Sequence, residues 1–131
     1  DAYNSNQYGF RAALEVAAQL PAARRVLVTP GVIELSAEQP TVNRALSRAA
    51  AAVCDTTLVV SETNRAAFLE GHREAGREDR LVAVPNRTEA FRWLREHLSD
   101  GDLVVLENDL PDLYERTDGV FWPAAAQGQP S

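Results

Sequence analysis

Apolar residues recur along this chain with two alternating periods. Phe10, Ala13, Leu14, Ala17 and Leu20 repeat at helical spacing, and Pro21 ends that helix. Residues 25–29 then form a short continuous Val/Leu run, the pattern of a strand buried on both faces. After a loop at 30–36, an Ala-rich helix is predicted over 41–53 and a second strand over 57–60. A helix over 62–76 follows, with Ala66, Phe68, Leu69 and His72 near one side. The third strand is 81–84, closed by Pro85. Phe91, Leu94 and Leu98 mark one face of a helix over 88–98, with Glu89 suited to its first turn. Asp100-Gly101 is a turn before a fourth strand at 103–106.

Strands that alternate with helices, and that read as unbroken apolar runs, predict a parallel sheet covered on both faces. The expected fold class is α/β, a Rossmann-like three-layer αβα sandwich with a mainly parallel sheet and right-handed crossovers. Residues 1–7 are expected to continue a strand whose earlier part precedes the chain. Residues 1–118 are expected to form one domain. Periodicity fades after Tyr114, and 119–131 is expected to be a disordered tail. Ligands of such open sheets bind beyond the carboxyl ends of the strands. The loops to watch are therefore 29–36, 61–64, 85–88 and 107–112.

Composition narrows the function. The 131 residues suffice for one hydrophobic core, and 45% hydrophobic with 24% charged residues is ordinary for a globular domain. No apolar run approaches the ~20 residues of a membrane helix. The start has neither a basic nor an apolar region of a signal peptide, and no initiator Met, so it reads as a piece of a longer protein. A net charge of −6 argues against nucleic acid as a partner. All 13 Lys+Arg residues are Arg, so the usual P-loop lysine and Schiff-base chemistry are excluded within the chain. The single Cys54 cannot pair internally, which suits a reducing, cytoplasmic compartment, and it reads as a core residue before a strand. His72 and His97 have no metal-ligating companion at helical spacing, and no metal site or catalytic triad is expected within the chain.

Four segments could carry chemistry. Asp1-Ala2-Tyr3-Asn4-Ser5-Asn6 concentrates polar side chains directly before a helix. They would either cap that helix or form a polar lip that bonds a ligand's hydroxyls and phosphates. Leu106-Glu107-Asn108-Asp109-Leu110-Pro111-Asp112 places carboxylates and an amide at a strand end, suited to magnesium, to an ammonium group, or simply to solvent. Thr63-Asn64-Arg65 and Asn86-Arg87-Thr88 each put an Arg at a helix start. There it would help bind an anion, or Thr63 and Asn86 would serve as N-caps.

The opening segment resembles the Asp-x-Tyr-Asn-(Ala/Ser)-Asn motif at the start of the C-terminal domain of Mur ligases that add D-alanyl-D-alanine. Residues 12–16, Ala-Ala-Leu-Glu-Val, are similar to the family's following helix, and 25–35 to its strand and loop ending in Glu-Leu. The resemblance covers most of residues 1–115. Two departures stand out. The family's Gly-Asp-Met is replaced by Pro30-Gly31-Val32, and its Lys-Gly-Ser after the last strand by Glu107-Asn108-Asp109. Asn43 falls where the family often has His.

The resemblance implies one part of a three-domain, ATP-dependent amide ligase of peptidoglycan precursor synthesis. In the family, a carboxylate of a UDP-linked muramoyl peptide is phosphorylated by ATP and then attacked by an amine. The central domain carries the P-loop and the Mg site, so ATP and Mg would be bound mainly outside this chain. The partners implied are the protein's own central and N-terminal domains, the muramoyl peptide and the amine substrate. By carry-over, Asp1 would bond the ribose, and Tyr3, Asn4 and Asn6 would line the nucleotide side of the interdomain cleft. Glu34 would shape the adjoining loop, and with it Asn43, Asn64, Arg65, Glu107, Asn108 and Asp109, the polar residues of the strand-end loops and nearby helix starts, are the candidates for the substrate side. The alternatives are a Rossmann-like binding or regulatory domain without catalysis, and a Mur-related ligase with a substrate outside peptidoglycan.

Overall fold

The computed structural model describes residues 5–33 and 35–108, with side chains from Gln7 onward. In chain order the elements are α1 (Ser5–Gln19), β1 (Arg24–Thr29), α2 (Gln39–Val53), β2 (Thr56–Val60), α3 (Arg65–Glu74), β3 (Leu81–Val84), α4 (Arg87–His97) and β4 (Asp102–Leu106). Single turns of 3-10 helix precede α2 and β3. The four strands form one sheet in the order β3-β2-β1-β4, and every pairing is parallel. The Rossmann-like α/β reading therefore holds.

Burial follows strand position. The inner strands β1 and β2 are almost wholly buried, while the edge strands β3 and β4 are only partly so. Alternate side chains serve two cores. Leu27 and Val59 pack with Phe10, Leu14, Leu46, Ala50 and Phe68, which come from α1, α2 and α3. Val26, Val28, Leu58 and Val60 pack on the other face with Ala90, Phe91 and Leu94 of α4. Each inner strand thus buries both of its faces, which is why it reads as a continuous apolar run. Cys54 is in the first core, fully buried, with its thiol pushed up to about 11 mainly by burial.

The element limits differ from the sequence expectation in instructive ways. Residues 5–7 are helical, not strand; residues 1–4 lie outside the described residues. The polar Ser-Asn-Gln run lacks β-branched residues, and the stripe through Phe10, Leu14 and Ala17 extends helix backward by a turn. Helix α2 starts two residues early, with Pro40 in its first turn, where a missing N–H costs nothing. Helix α3 is shorter than expected at both ends. Ser61 takes a left-handed φ of 71°, which holds 61–64 as a turn. At the other end Gly76, at φ 74°, closes the helix: its N–H bonds to Arg73 O at 3.0 Å, and that of Arg77 to His72 O at 2.9 Å. Pairing of β1 with β4 is pinned at the amino end, where Arg24 Nη2 meets Asp102 Oδ2 at 2.8 Å. Burial alone would raise the Asp102 carboxyl, but hydrogen bonds from Arg24 and the Ser99 N–H outweigh it and hold the pKa below the ordinary value. The expected tail at 119–131 lies outside the described residues.

Candidate active site at the strand ends

The strand order contains a topological switch point. From β1 the chain moves to β2 and β3 on one side, and then returns to place β4 on the other side of β1. The loops after β1 and β4 leave the sheet next to each other, and that divergence is where ligands of doubly wound sheets enter.

The loop after β1 is held by side chains. Asn43, fully buried in α2, accepts from Val32 N at 2.8 Å and donates to Val32 O at 2.8 Å and to Gln39 O at 2.9 Å. Asn64, from the turn after β2, donates to Pro30 O at 2.9 Å and to Val32 O at 3.3 Å, and accepts from Gln39 Nε2 at 3.1 Å. Asn108, beyond β4, donates to Gly31 O at 2.8 Å. The loop's own Gly31 N–H reaches back to Thr29 Oγ1 at 3.0 Å. A buried loop must pair its backbone polar groups, and these amides do so in place of a sheet ladder. Gly31 sits at φ 83°, and a Cβ there would lie 2.6 Å from both Asn43 Oδ1 and Asn64 Nδ2. Only glycine fits.

Other sequence-predicted residues fall around this network. Helix α3 has Asn64, not Thr63, at its N-cap, and the Asn64 side chain makes no cap bond because the Pro30–Val32 backbone uses it. Arg65 opens α3 beside it, and its Nε is buried without a hydrogen bond. At the second polar turn Asn86 does cap its helix, accepting from Glu89 N at 2.9 Å. Arg87 places its guanidinium 4.9 Å from the Phe91 ring centroid. Glu107 continues β4 for one more bond, from its N–H to Val28 O at 3.1 Å. Its half-buried carboxylate faces α1, with Oε2 3.6 Å from where a Gly9 Cβ would be, and burial raises its pKa.

Asn43, Asn64 and Asn108 therefore converge on one loop, with Glu107 adjoining Asn108. Asn6 lies in the first turn of α1, with its side chain outside the described residues. Asp1, Tyr3, Asn4, Glu34 and Asp109 lie outside them as well. Nothing local in the sequence marks Thr29, Gly31 or Gln39 as members of this network; only the Pro30-Gly31 dipeptide signals the turn. Among the described residues no three His, Cys, Asp or Glu side chains come together as a cation's ligand set. No helix among them is long and apolar enough to cross a membrane.

Two solved structures of MurF from Acinetobacter baumannii share the fold. One has a TM-score of 0.63 and 26% identity, over 81% of this chain and 23% of that one. The other has a TM-score of 0.59 and 23% identity, over 81% of this chain and 22% of that one. The chain thus spans less than a quarter of the length of either. No curated protein matches it. The family model described as Mur ligase, glutamate ligase domain matches residues 1–107, and the chain belongs to the Mur ligase family through that domain.

Proposed function

We propose that this chain is the C-terminal, substrate- and nucleotide-contacting domain of an ATP-dependent acid–amino-acid ligase acting in peptidoglycan precursor synthesis. The observation that carries the reading is the asparagine-held loop at the carboxyl ends of β1 and β4, in a chain whose sequence includes Asp-Ala-Tyr-Asn-Ser-Asn.

In this reading ATP supplies the phosphoryl group that activates a carboxylate, and the domain's own residues bind, orient and exclude water. Asp1 bonds the ribose, and Tyr3, Asn4 and Asn6 line the nucleotide side of the cleft. The loop held by Asn43, Asn64 and Asn108 forms the substrate side, with Glu34, Arg65, Glu107 and Asp109 around it. Closure of this lip over a central domain would keep water from a hydrolysable intermediate. Asn43 and Asn64 act through the loop, because their amides already bond its backbone. The chain has no Gly-rich phosphate loop and no Lys, so phosphate and Mg would be held mainly by another domain.

The test is Asp1→Ala in the full-length ligase. Losing a hydrogen bond between a charged group and the ribose costs about 1.5–3 kcal/mol, a rise in the KM for ATP of roughly tenfold to a hundredfold. An unchanged KM removes the ribose role. ATP turnover by residues 1–131 alone would show that the chain is more than a contributing domain.

A second reading concerns the amine. Glu107 stands where the resembled family has a cation, and its carboxylate is half-buried at the strand end. That suits a cationic amine substrate and a related ligase outside peptidoglycan synthesis. Profiling the full-length protein with D-alanyl-D-alanine against cationic amino acids separates the two.

A further inference from the structure

We propose that Asn108 is a positioning residue that straps the switch-point crevice at its base, joining the loop after β1 and the end of β4 into one rigid lip. The strap itself rests on geometry alone; its consequence for turnover rests on the ligase reading above.

Three amides hold the loop at 30–33, but they do not hold it from the same side. Asn43 lies in α2, which the loop leads into, and Asn64 lies in the turn after the neighbouring β2. Both belong to the β1–β2–β3 side of the sheet. Among the described residues, the side-chain bond across the switch point is the one from Asn108 Nδ2 to Gly31 O, at 2.8 Å and 77 residues apart in sequence. It lands on the most constrained position of the loop, where φ is 83° and two asparagine amides leave no room for a Cβ.

The backbone of Asn108 points the same way. It sits at φ 70°, a left-handed conformation that glycine adopts without cost and that asparagine tolerates better than most residues. Glycine would satisfy the backbone there. What asparagine adds is an N–H donor, and the donor is used on the facing loop. Strain at a residue whose side chain bridges two loops is a reason to look for a positioning role.

The consequence concerns preorganisation. Adjacent loops at a switch point diverge to admit a ligand. A bond across their base sets their spacing before a ligand arrives, so less ordering has to be done on binding. Asn108 would then govern how the lip presents itself to substrate without touching substrate.

Hydrogen exchange of the full chain tests this with two variants. Asn108→Gly keeps the left-handed backbone and removes the donor. Asn108→Asp keeps the shape, but its carboxylate can only accept. In both, exchange at the Gly31 and Val32 amides should quicken about five- to tenfold, the loss expected for one hydrogen bond, with Leu27 and Val28 in β1 unchanged. Unchanged exchange at 31–32 in both variants overturns the strap, as does an equal rise throughout β1. In the full-length ligase the same variants should lower kcat more than they raise the KM for the amine. A raised KM with unaltered loop exchange would instead mean direct contact between Asn108 and substrate.

Discussion

Asn43 and Val32 are bonded to each other twice, as two residues of neighbouring strands would be. The Asn43 carboxamide accepts from Val32 N and donates to Val32 O, each at 2.8 Å, with both residues fully buried. A side chain here takes the place of a missing strand. Asn43→Leu would leave the Val32 N–H buried without its partner, while the Val32 carbonyl keeps the weaker bond from Asn64. The expected cost is about 2–3 kcal/mol. A lowered urea midpoint at constant m value would register it, and a midpoint like that of the wild type would refute the pairing.

Gly31 and Gly76 separate two kinds of glycine requirement. Both have positive φ, 83° and 74°, but a Cβ at Gly76 meets nothing within 4 Å, whereas one at Gly31 meets Asn43 and Asn64 at 2.6 Å. Gly76→Ala should cost about 1–2 kcal/mol, from the left-handed backbone alone. Gly31→Ala adds displacement of two buried amides, and should cost at least about 2 kcal/mol more. Thermal unfolding of the pair gives the comparison directly. Equal losses would mean that the loop moves aside freely.

His72 makes stability depend on pH. Its Nδ1 lies 2.7 Å from Ser47 Oγ, which itself donates to Phe68 O at 2.7 Å, and its Nε2 is buried without a partner. The hydroxyl proton is used on Phe68, so the Ser47 oxygen is left to accept from Nδ1–H. Burial lowers the His72 pKa from 6.5. The unfolded state therefore binds more protons below that value. The contribution is fully present above about pH 6.5 and declines as pH falls towards the lowered folded value. Urea midpoints from pH 7.5 to 5 should fall more steeply in the wild type than in His72→Asn. Parallel slopes in the two proteins would contradict the assignment.

The Cys54 thiol should be inert in the folded protein. It is fully buried, and its pKa is raised from 9.0 to about 11, chiefly by burial. The folded state holds this proton longer than the unfolded state, so its contribution to stability is intact below about pH 9 and is lost as pH rises to 11. Labelling by a thiol reagent at neutral pH should proceed only as fast as the chain opens, and should accelerate in urea. Rapid labelling in buffer alone would place the thiol nearer the surface than described.

The strands and helices were readable because their signals are local. The Val/Leu runs, Pro21, Pro85 and the Asp100-Gly101 turn each act within a few residues. Errors came where a distant partner overrode a local rule. Thr63 and Asn64 look alike as caps, and Asn64 is committed instead to Pro30 O, 34 residues away. Asn43 matches a family position, and nothing local marks it as the partner of Val32. Asn108 lies in an acidic run, and nothing local signals that its amide donates to Gly31 O, 77 residues away.

The sequence by itself determined the order of elements, the parallel sheet and the family, because period, breakers and a short motif are properties of neighbouring residues. The tertiary structure alone decided that β4 joins the far side of β1 and that asparagines from three separate segments meet on one loop. An asparagine amide can cap a helix, bind a ligand or brace a backbone with equal ease. Which of these it does depends on what the fold places about 3 Å away.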